Sequence, residues 1–312
     1  MSSETPVRLP VIDFSKQKLK PGSPEWNLVK LQVREALEEY GCFEALFDQV
    51  LELRHAVFGA MEELFDQPLQ TKSSMFQASY FEAILGTHQD CMKTWPLMML
   101  IFLKTLNQTS LTSCGLKETK ASASGLEKTI RRMILETFGV EKYVDEFIDS
   151  TNYILKVMKY EGSQSSKPSI RAHSDQNLLT PLYQNEVNGL EIQNKDGEWI
   201  NVKPLPNTFF VMTGESLSVW LNGGLRSTYH RVMMKVSKAR CCVGMFATPR
   251  GGYQVKAPKE LVDDKIGLLF KPFDCEEFLG FYSIHAARGD LELILRLIVM
   301  SKILQSIIYV KQ

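Results

Sequence analysis

Gly189-Leu-Glu-Ile-Gln-Asn-Lys-Asp-Gly-Glu-Trp-Ile-Asn-Val202 has the pattern of two short strands joined by a tight turn. The runs on either side of Asp196-Gly197 are rich in long apolar and branched side chains, and Asp-Gly is a strong two-residue hairpin signal. Similar runs lie on both sides of this stretch, at Tyr153–Tyr160, Thr208–Met212, Tyr229–Lys235 and Cys241–Ala247. Several short strands at close intervals predict a β-sandwich or a jelly-roll barrel.

The residues before this β-rich region are predicted to be mostly helical. Ser23-Pro24-Glu25 supplies an N-cap, a first-turn proline and an early acid for a helix that runs to Glu39. Gly41 follows in the position of a C-terminal cap. Two further helices and two short strands are predicted at Leu51–Phe65, Leu126–Phe138, Leu9–Phe14 and Cys42–Phe47.

The chain is expected to divide into a helical N-terminal region (1–150), a β core (151–251) and a C-terminal segment (252–312). The Ser-rich stretch Gly162–Pro168 is a linker candidate inside the β region. Residues 87–124 and 289–312 are atypical. Because 87–124 shows neither a helical nor a strand period, no secondary structure is predicted there, and proteases are expected to cut it first.

Composition excludes several classes of partner. The 312 residues carry 36 basic and 36 acidic side chains, so no basic footprint for nucleic acid or an anionic membrane is present. Six scattered cysteines without a CxxC pair, and a polar start without an apolar signal segment, predict a reduced, cytoplasmic protein. The expected protein is a monomer that binds small molecules.

Three side chains form the candidate metal site. His173 and Asp175 stand two residues apart near a predicted strand, so both can project to one face. His230 begins a later strand. Two histidines and one carboxylate suit a non-haem Fe(II) centre, although a structural His–Asp hydrogen bond is an alternative on this evidence alone. His55, His88 and His285 lack such a pattern and are interpreted as packed or surface residues.

Arg240 favours the metal interpretation. It lies ten residues after His230, an even offset along what looks like one continuous strand, and would therefore face the same cavity. A guanidinium in a cavity is costly unless an anion meets it. The far carboxylate of a 2-oxo acid would meet it bidentately.

The motifs and their order resemble those of plant 2-oxoglutarate/Fe(II)-dependent dioxygenases. The matching segments are Leu155-Lys-Val…Tyr160, His173-Ser-Asp175, Asn188-Gly-Leu-Glu-Ile192, Gly197-Glu-Trp-Ile200, Asn222-Gly-Gly, His230-Arg-Val and Arg240. Finer features are similar to the alkenyl- and hydroxyalkyl-producing dioxygenases of glucosinolate side-chain metabolism. These are Arg131-Arg-Met-Ile-Leu-Glu, Val157-Met-Lys-Tyr160, Tyr229-His-Arg-Val-Met-Met, Glu260-Leu-Val-Asp263 and Leu269-Phe-Lys-Pro-Phe273. The resemblance covers roughly residues 5–86 and 125–288.

The resemblance implies a double-stranded β-helix (jelly-roll) core with helical support. It implies Fe(II) on the candidate triad, and 2-oxoglutarate on Arg240 with help from Tyr160 and Cys242. O2 and a small plant metabolite, with a glucosinolate side chain as a candidate, would be the other substrates. Succinate and CO2 would be released, ascorbate would support turnover, and Phe246 would line the substrate side unless it is a core residue.

Two departures from the family pattern leave an alternative open. Arg240-Cys241-Cys242 replaces Arg-x-Ser, and a thiol is a weaker donor than a hydroxyl. Met158-Lys159-Tyr160 replaces Asn-x-Tyr. Together with the atypical segments, these departures are compatible with a catalytically impaired or inactive descendant. A redox-inert metal serving hydrolysis is a third alternative, against which Arg240 argues.

Overall fold

The computed structural model describes residues 8–15, 19–66, 98–103, 114–163, 168–263 and 267–278. Its helices are α1 (Pro24–Tyr40), α2 (Gln49–Asp66), α3 (Cys114–Thr137), α4 (Val144–Asp149) and α5 (Glu215–Trp220). Short 3-10 turns span Glu141–Tyr143 and Lys259–Leu261. None of the helices in these ranges is long and apolar enough for a membrane span.

The ends of α1 follow the sequence pattern. The Ser23 hydroxyl accepts a hydrogen bond from the Trp26 backbone N–H at 3.1 Å, which caps the first turn. Gly41 adopts the left-handed conformation at φ 72° and donates its N–H to the Leu37 carbonyl. The predicted caps of this helix are therefore confirmed, and the helix ends at Tyr40, one residue later than expected.

Thirteen strands in the described part of the chain form two main sheets and one small pair. They are β1 (Val11–Asp13), β2 (Cys42–Leu46), β3 (Met98–Leu103), β4 (Thr151–Tyr160), β5 (Ile170–His173), β6 (Leu179–Gln184), β7 (Leu190–Gln193), β8 (Trp199–Asn201), β9 (Thr208–Thr213), β10 (His230–Val232), β11 (Arg240–Pro249), β12 (Gln254–Val255) and β13 (Phe273–Asp274). The seven-stranded sheet has the order β1-β2-β9-β6-β11-β4-β3. The four-stranded sheet has the order β5-β10-β7-β8, and β12 pairs with β13. The predicted hairpin at Asp196-Gly197 joins β7 to β8.

The long pair β4–β11 separates two cores. Its ten-residue register runs from Arg240 opposite Tyr160 to Pro249 opposite Thr151. Successive strand residues face opposite sides, and one side packs against the helices through Leu155, Val157, Val243 and Met245. The other side faces the four-stranded sheet through Met158, Tyr160, Cys242 and Phe246. This second core, between the two sheets, is where the candidate site lies.

Strands from both sides of residue 150 belong to the larger sheet. β2 pairs with β9 over five residues, and β3 pairs with β4 over six. The predicted division of the chain at residues 150 and 251 stays a prediction. The seven-stranded sheet contains strands from both of the first two predicted regions, 1–150 and 151–251. The linker candidate Gly162–Pro168 joins β4 to β5, and its residues 164–167 lie outside the described ranges.

The expectation that residues 87–124 lack secondary structure is wrong for two parts of that segment. Residues 98–103 form β3, and residues 114–124 form the first half of α3. The helical period there was hidden because small or polar residues occupy buried positions, including Thr119 and Ala123. At Gly115, an added Cβ would lie 2.7 Å from the Ala56 Cβ, so glycine permits the close approach of α2 and α3. Residues 87–97, 104–113 and 289–312 lie outside the described ranges.

The prediction of one continuous strand from His230 to Arg240 is also wrong. β10 ends at Val232 and belongs to the four-stranded sheet, whereas β11 begins at Arg240 in the seven-stranded sheet. The intervening Lys235-Val-Ser-Lys-Ala239 is short and largely polar, and it carries the chain from one sheet to the other. The sequence pattern could not reveal that the chain passes from one sheet to the other, because the residues of β10 and those of β11 both have a strand-like composition.

Candidate metal centre

His173, Asp175 and His230 come together at the edge of the four-stranded sheet. His173 ends β5 and lies directly opposite His230, which begins the neighbouring antiparallel strand β10. Their ring centroids are 4.3 Å apart. Asp175 follows β5, and its Oδ1 lies 3.9 Å from His173 Nε2. One ligand atom from each residue lies within 4.8 Å of the other two, so a single metal ion can contact all three.

Neighbouring groups orient each of the three side chains. His173 Nδ1 lies 2.9 Å from the Arg171 carbonyl, and His230 Nδ1 lies 3.0 Å from the Thr228 carbonyl. A carbonyl oxygen can only accept a hydrogen bond, so Nδ1 of each histidine carries the hydrogen. Nε2 of each histidine therefore keeps its lone pair for a metal ion. The Thr180 hydroxyl donates to Asp175 Oδ2 at 2.6 Å.

The protonation states also suit metal binding. Burial, followed by the charge of His230, lowers the pKa of His173 to about 4, so its imidazole is neutral near pH 7. Burial opposes ionisation of Asp175, but the charges of His230, His173 and Lys156 and the Thr180 hydrogen bond hold its pKa below the ordinary value. Two imidazoles and one carboxylate, with further positions open, are the donor set of non-haem Fe(II) centres.

Arg240 lies buried at the start of β11. Its guanidinium donates through Nε and Nη2 to Gln184 Oε1, at 3.0 and 2.5 Å, and through Nη1 to Cys242 Sγ at 3.4 Å. Only 1% of its surface is exposed. None of the ion pairs found among the described residues includes Arg240. A buried guanidinium held by neutral groups is suited to bind an anion.

Tyr160 lies directly opposite Arg240 in the pairing of β4 with β11. The Arg240 guanidinium carbon lies 5.1 Å from the Tyr160 ring centroid, and the Tyr160 hydroxyl donates to Met158 Sδ at 3.6 Å. Burial raises the pKa of Tyr160, and the charges of Arg240 and Asp175 both act on its phenol. Burial likewise raises the pKa of the Cys242 thiol, so both groups remain protonated donors.

β6 supports both parts of the site from one face. Thr180 binds Asp175, and Gln184, four residues further along the same strand, binds Arg240. Sequence reasoning missed both residues because β6 is buried along its whole length and shows no alternation. Once β6 is placed, residues an even number apart share a face, which is the signal that links them.

Phe246 and Lys156 form the wall beside these groups. The Lys156 ammonium lies 3.5 Å from the Phe246 ring centroid. Phe246 belongs to the core between the sheets and is 9% exposed. Sequence reasoning did not select Lys156, although it precedes Tyr160 by four residues and therefore shares its face of β4. His55 is exposed on α2, as expected, whereas His88 and His285 lie outside the described ranges.

Comparison with known proteins identifies the family. A model described as the 2OG-Fe(II) oxygenase superfamily matches residues 151–249, and the non-haem dioxygenase N-terminal model matches residues 9–91. The probable 2-oxoglutarate-dependent dioxygenase AOP1 of Arabidopsis thaliana is 40% identical over 296 residues, which cover 90% of this chain and 98% of that protein. The chain belongs to the 2OG-Fe(II) oxygenase superfamily.

A second relative of this dioxygenase has lower identity. The probable inactive 2-oxoglutarate-dependent dioxygenase AOP2 of Arabidopsis thaliana is 28% identical over 380 residues, covering 90% of this chain and 95% of that protein. Among solved structures, dioxygenase for auxin oxidation 1 of Arabidopsis thaliana, in a complex with 2-oxoglutarate, has a TM-score of 0.71. It is 23% identical and covers 83% of this chain and 100% of that chain. The predicted jelly-roll class with helical support is confirmed.

Proposed function

We propose that His173, Asp175 and His230 hold Fe(II) in this dioxygenase, and that Arg240 binds the far carboxylate of 2-oxoglutarate. The observation that carries the proposal is the combination of three convergent ligand atoms with a buried guanidinium that neutral groups hold. Tyr160 and Cys242, which adjoin the Arg240 guanidinium, would contact 2-oxoglutarate beside it.

The bound Fe(II), with 2-oxoglutarate and O2, would supply the oxidation of a second substrate with release of succinate and CO2. The tasks of the protein are binding and orientation. The Arg171 and Thr228 carbonyls fix the imidazole tautomers, Thr180 fixes the carboxylate, and Gln184 fixes the plane of the Arg240 guanidinium. The core between the sheets limits access of water.

The second substrate is proposed to be a small plant metabolite, and a glucosinolate side chain is the candidate. Similarity to the Arabidopsis AOP relatives supports this proposal. Phe246 would contact the substrate because it adjoins Lys156, whose charge acts on the metal ligands. We further propose that the enzyme is a cytoplasmic monomer supported by ascorbate, without nucleic-acid or membrane partners, as its balanced charge suggests.

The catalytically impaired alternative is not favoured. It rested largely on residues 87–124, and parts of that segment form β3 and the first half of α3. The Cys242 thiol accepts from Arg240 instead of leaving the guanidinium unsupported.

Uncoupled turnover of 2-oxoglutarate tests the proposed function. Purified protein with Fe(II), ascorbate and O2 is expected to form succinate without an added second substrate. His173→Ala should abolish succinate formation, and His55→Ala, which changes an exposed histidine on α2, is the matched control. Equal succinate formation by wild type and His173→Ala would contradict the proposal.

A further inference from the structure

The side-chain amide of Gln184 holds the guanidinium of Arg240 in place. Nε and Nη2 of Arg240 both donate to Gln184 Oε1, at 3.0 and 2.5 Å, and Nη1 donates to Cys242 Sγ at 3.4 Å. Two hydrogen bonds to one oxygen define both the plane of the guanidinium and its distance from β6. Rotation of the guanidinium would break at least one of them, so it has one preferred position.

The aliphatic stem of Arg240 is confined by the backbone just before β7. A Cβ placed on Gly189 would lie 3.2 Å from Arg240 Cδ and 3.1 Å from Met234 Sδ, so even the smallest side chain would crowd the arginine. Gly189 is itself anchored, because its carbonyl accepts a hydrogen bond from the Met233 N–H at 2.7 Å. Because Arg240 is also buried, its stem cannot shift without displacing packed neighbours.

A single strand, β6, links this clamp to the metal ligands. Thr180 donates to Asp175 Oδ2 at 2.6 Å, and Gln184 lies four residues further along the same face of β6. Four residues of a strand span about 13 Å. β6 is hydrogen-bonded to β9 on one side and to β11 on the other, which fixes its length. The separation between Asp175 and the clamp is therefore set by the backbone.

A ligand that contacts the metal at one end and Arg240 at the other has to match this separation. 2-Oxoglutarate has two methylene groups between its keto carbon and its far carboxylate, whereas 2-oxoadipate has three. A mobile guanidinium would retract to admit the longer acid, but Arg240 cannot retract without losing its hydrogen bonds to Gln184. One methylene group of misfit then costs about tenfold in affinity or more.

We propose that Gln184 is a positioning residue that makes Arg240 a fixed stop, so that the site selects the 2-oxo diacid by its length and prefers 2-oxoglutarate to 2-oxoadipate. This inference rests on the proposed function, since it assumes Fe(II) on the triad and a co-substrate carboxylate on Arg240. It assigns the selection among 2-oxo diacids to a residue outside the metal triad.

Binding of the two diacids tests the inference. 2-Oxoglutarate and 2-oxoadipate are each titrated by calorimetry, without O2, into protein loaded with Fe(II), so the result does not depend on turnover. Wild type is expected to bind 2-oxoglutarate about tenfold more tightly than 2-oxoadipate, or better. Gln184→Met keeps the length of the side chain but removes the strong acceptor, so the guanidinium can move. It should weaken 2-oxoglutarate binding and reduce the preference to about threefold or less.

Further variants separate position from charge and packing. Gln184→Glu keeps the acceptor and its length but neutralises the guanidinium, so it should weaken binding of both diacids and preserve the preference. Gln184→Leu replaces Gln184→Met if the latter folds poorly. Gln193→Met is the matched control, because Gln193 lies on β7, faces away from the core between the sheets and donates to the Gly197 carbonyl. It should leave both affinities unchanged.

The outcomes distinguish this inference from the proposed function. If wild type loaded with Fe(II) does not bind 2-oxoglutarate, the proposed function fails, and the inference fails with it. If wild type binds 2-oxoglutarate and 2-oxoadipate equally well, only the selection by length is overturned. If Gln184→Met weakens binding of both diacids by the same factor, Gln184 only stabilises the site, and its role in selection is overturned.

Discussion

Two buried arginines, one on each side of the seven-stranded sheet, are held in different ways. Both Arg131 and Arg240 are 1% exposed. Arg131, in the core on the helix side, donates to the Glu127 carboxylate at 2.8 Å and also to Thr151, Tyr153 and the Phe147 carbonyl. Arg240, in the core between the sheets, donates to the neutral groups of Gln184 and Cys242.

The different partners of Arg131 and Arg240 distinguish an arginine that stabilises the fold from one that is suited to bind a ligand. An arginine that only supports the fold is neutralised within the protein, because an uncompensated buried charge is destabilising. An arginine that binds an anionic co-substrate has to be oriented while its charge stays available. Gln184 does this for Arg240, since an amide oxygen accepts hydrogen bonds without neutralising the guanidinium.

The largest expected effect is on iron. His173→Ala and His230→Ala should each abolish Fe(II) binding, measured as iron per protein, while the far-ultraviolet circular dichroism stays close to that of wild type. Both side chains belong to the four-stranded sheet, on the edge strand β5 and its neighbour β10, so their removal takes away ligands without opening the core on the helix side. His55→Ala is the control, and unchanged iron content in either ligand variant would refute the assignment.

The next effect compares the two arginine sites through stability. Glu127→Ala leaves Arg131 buried without its carboxylate and should lower the free energy of unfolding by about 3–5 kcal/mol. Arg240→Met, tested without 2-oxoglutarate, should lower it by at most about 1 kcal/mol, because the removal of a buried charge that is held only by neutral groups offsets the hydrogen bonds that Gln184 loses. Urea denaturation of both variants measures the difference. A larger loss for Arg240→Met than for Glu127→Ala would break the comparison.

Arg240→Lys tests the shape of the clamp. Lysine keeps the charge but not the planar fork, so one or more charge-assisted hydrogen bonds to the co-substrate would be lost. The concentration of 2-oxoglutarate required for half-maximal succinate formation should rise by about tenfold or more, with iron affinity little changed. An unchanged requirement would show that Arg240 does not bind the co-substrate.

The smallest effect concerns Cys242. Cys242→Ser introduces a stronger donor beside the guanidinium and should tighten 2-oxoglutarate binding by up to about tenfold for each 1.4 kcal/mol recovered. Calorimetric titration of the iron-loaded protein measures the change, and Cys241→Ser, on the opposite face of β11, is the control. Equal affinity in wild type and Cys242→Ser would mean that Tyr160 or water already supplies the donor.

The candidate metal site could be predicted better from the sequence than its supporting residues. The spacing of His173 and Asp175, their donor set with His230, and the family resemblance together predicted these three residues as metal ligands. Gln184 lies in a uniformly buried strand without periodicity, and Lys156 looks like one of several lysines until β4 is paired with β11. The expected position of Arg240 was correct in outline, but the reasoning from one continuous strand was wrong.

The sequence by itself determined the local features of this protein. The caps of α1, the turn at Asp196-Gly197, the β-rich composition after residue 150 and the His173-x-Asp175 step all depend on neighbouring residues. Only the tertiary structure decided which strands adjoin and which charges remain without a carboxylate. β3 pairs with β4 across a long separation in sequence, and β10 and β11 lie in different sheets. Such pairings depend on burial and backbone hydrogen bonds between distant segments, which no local pattern encodes.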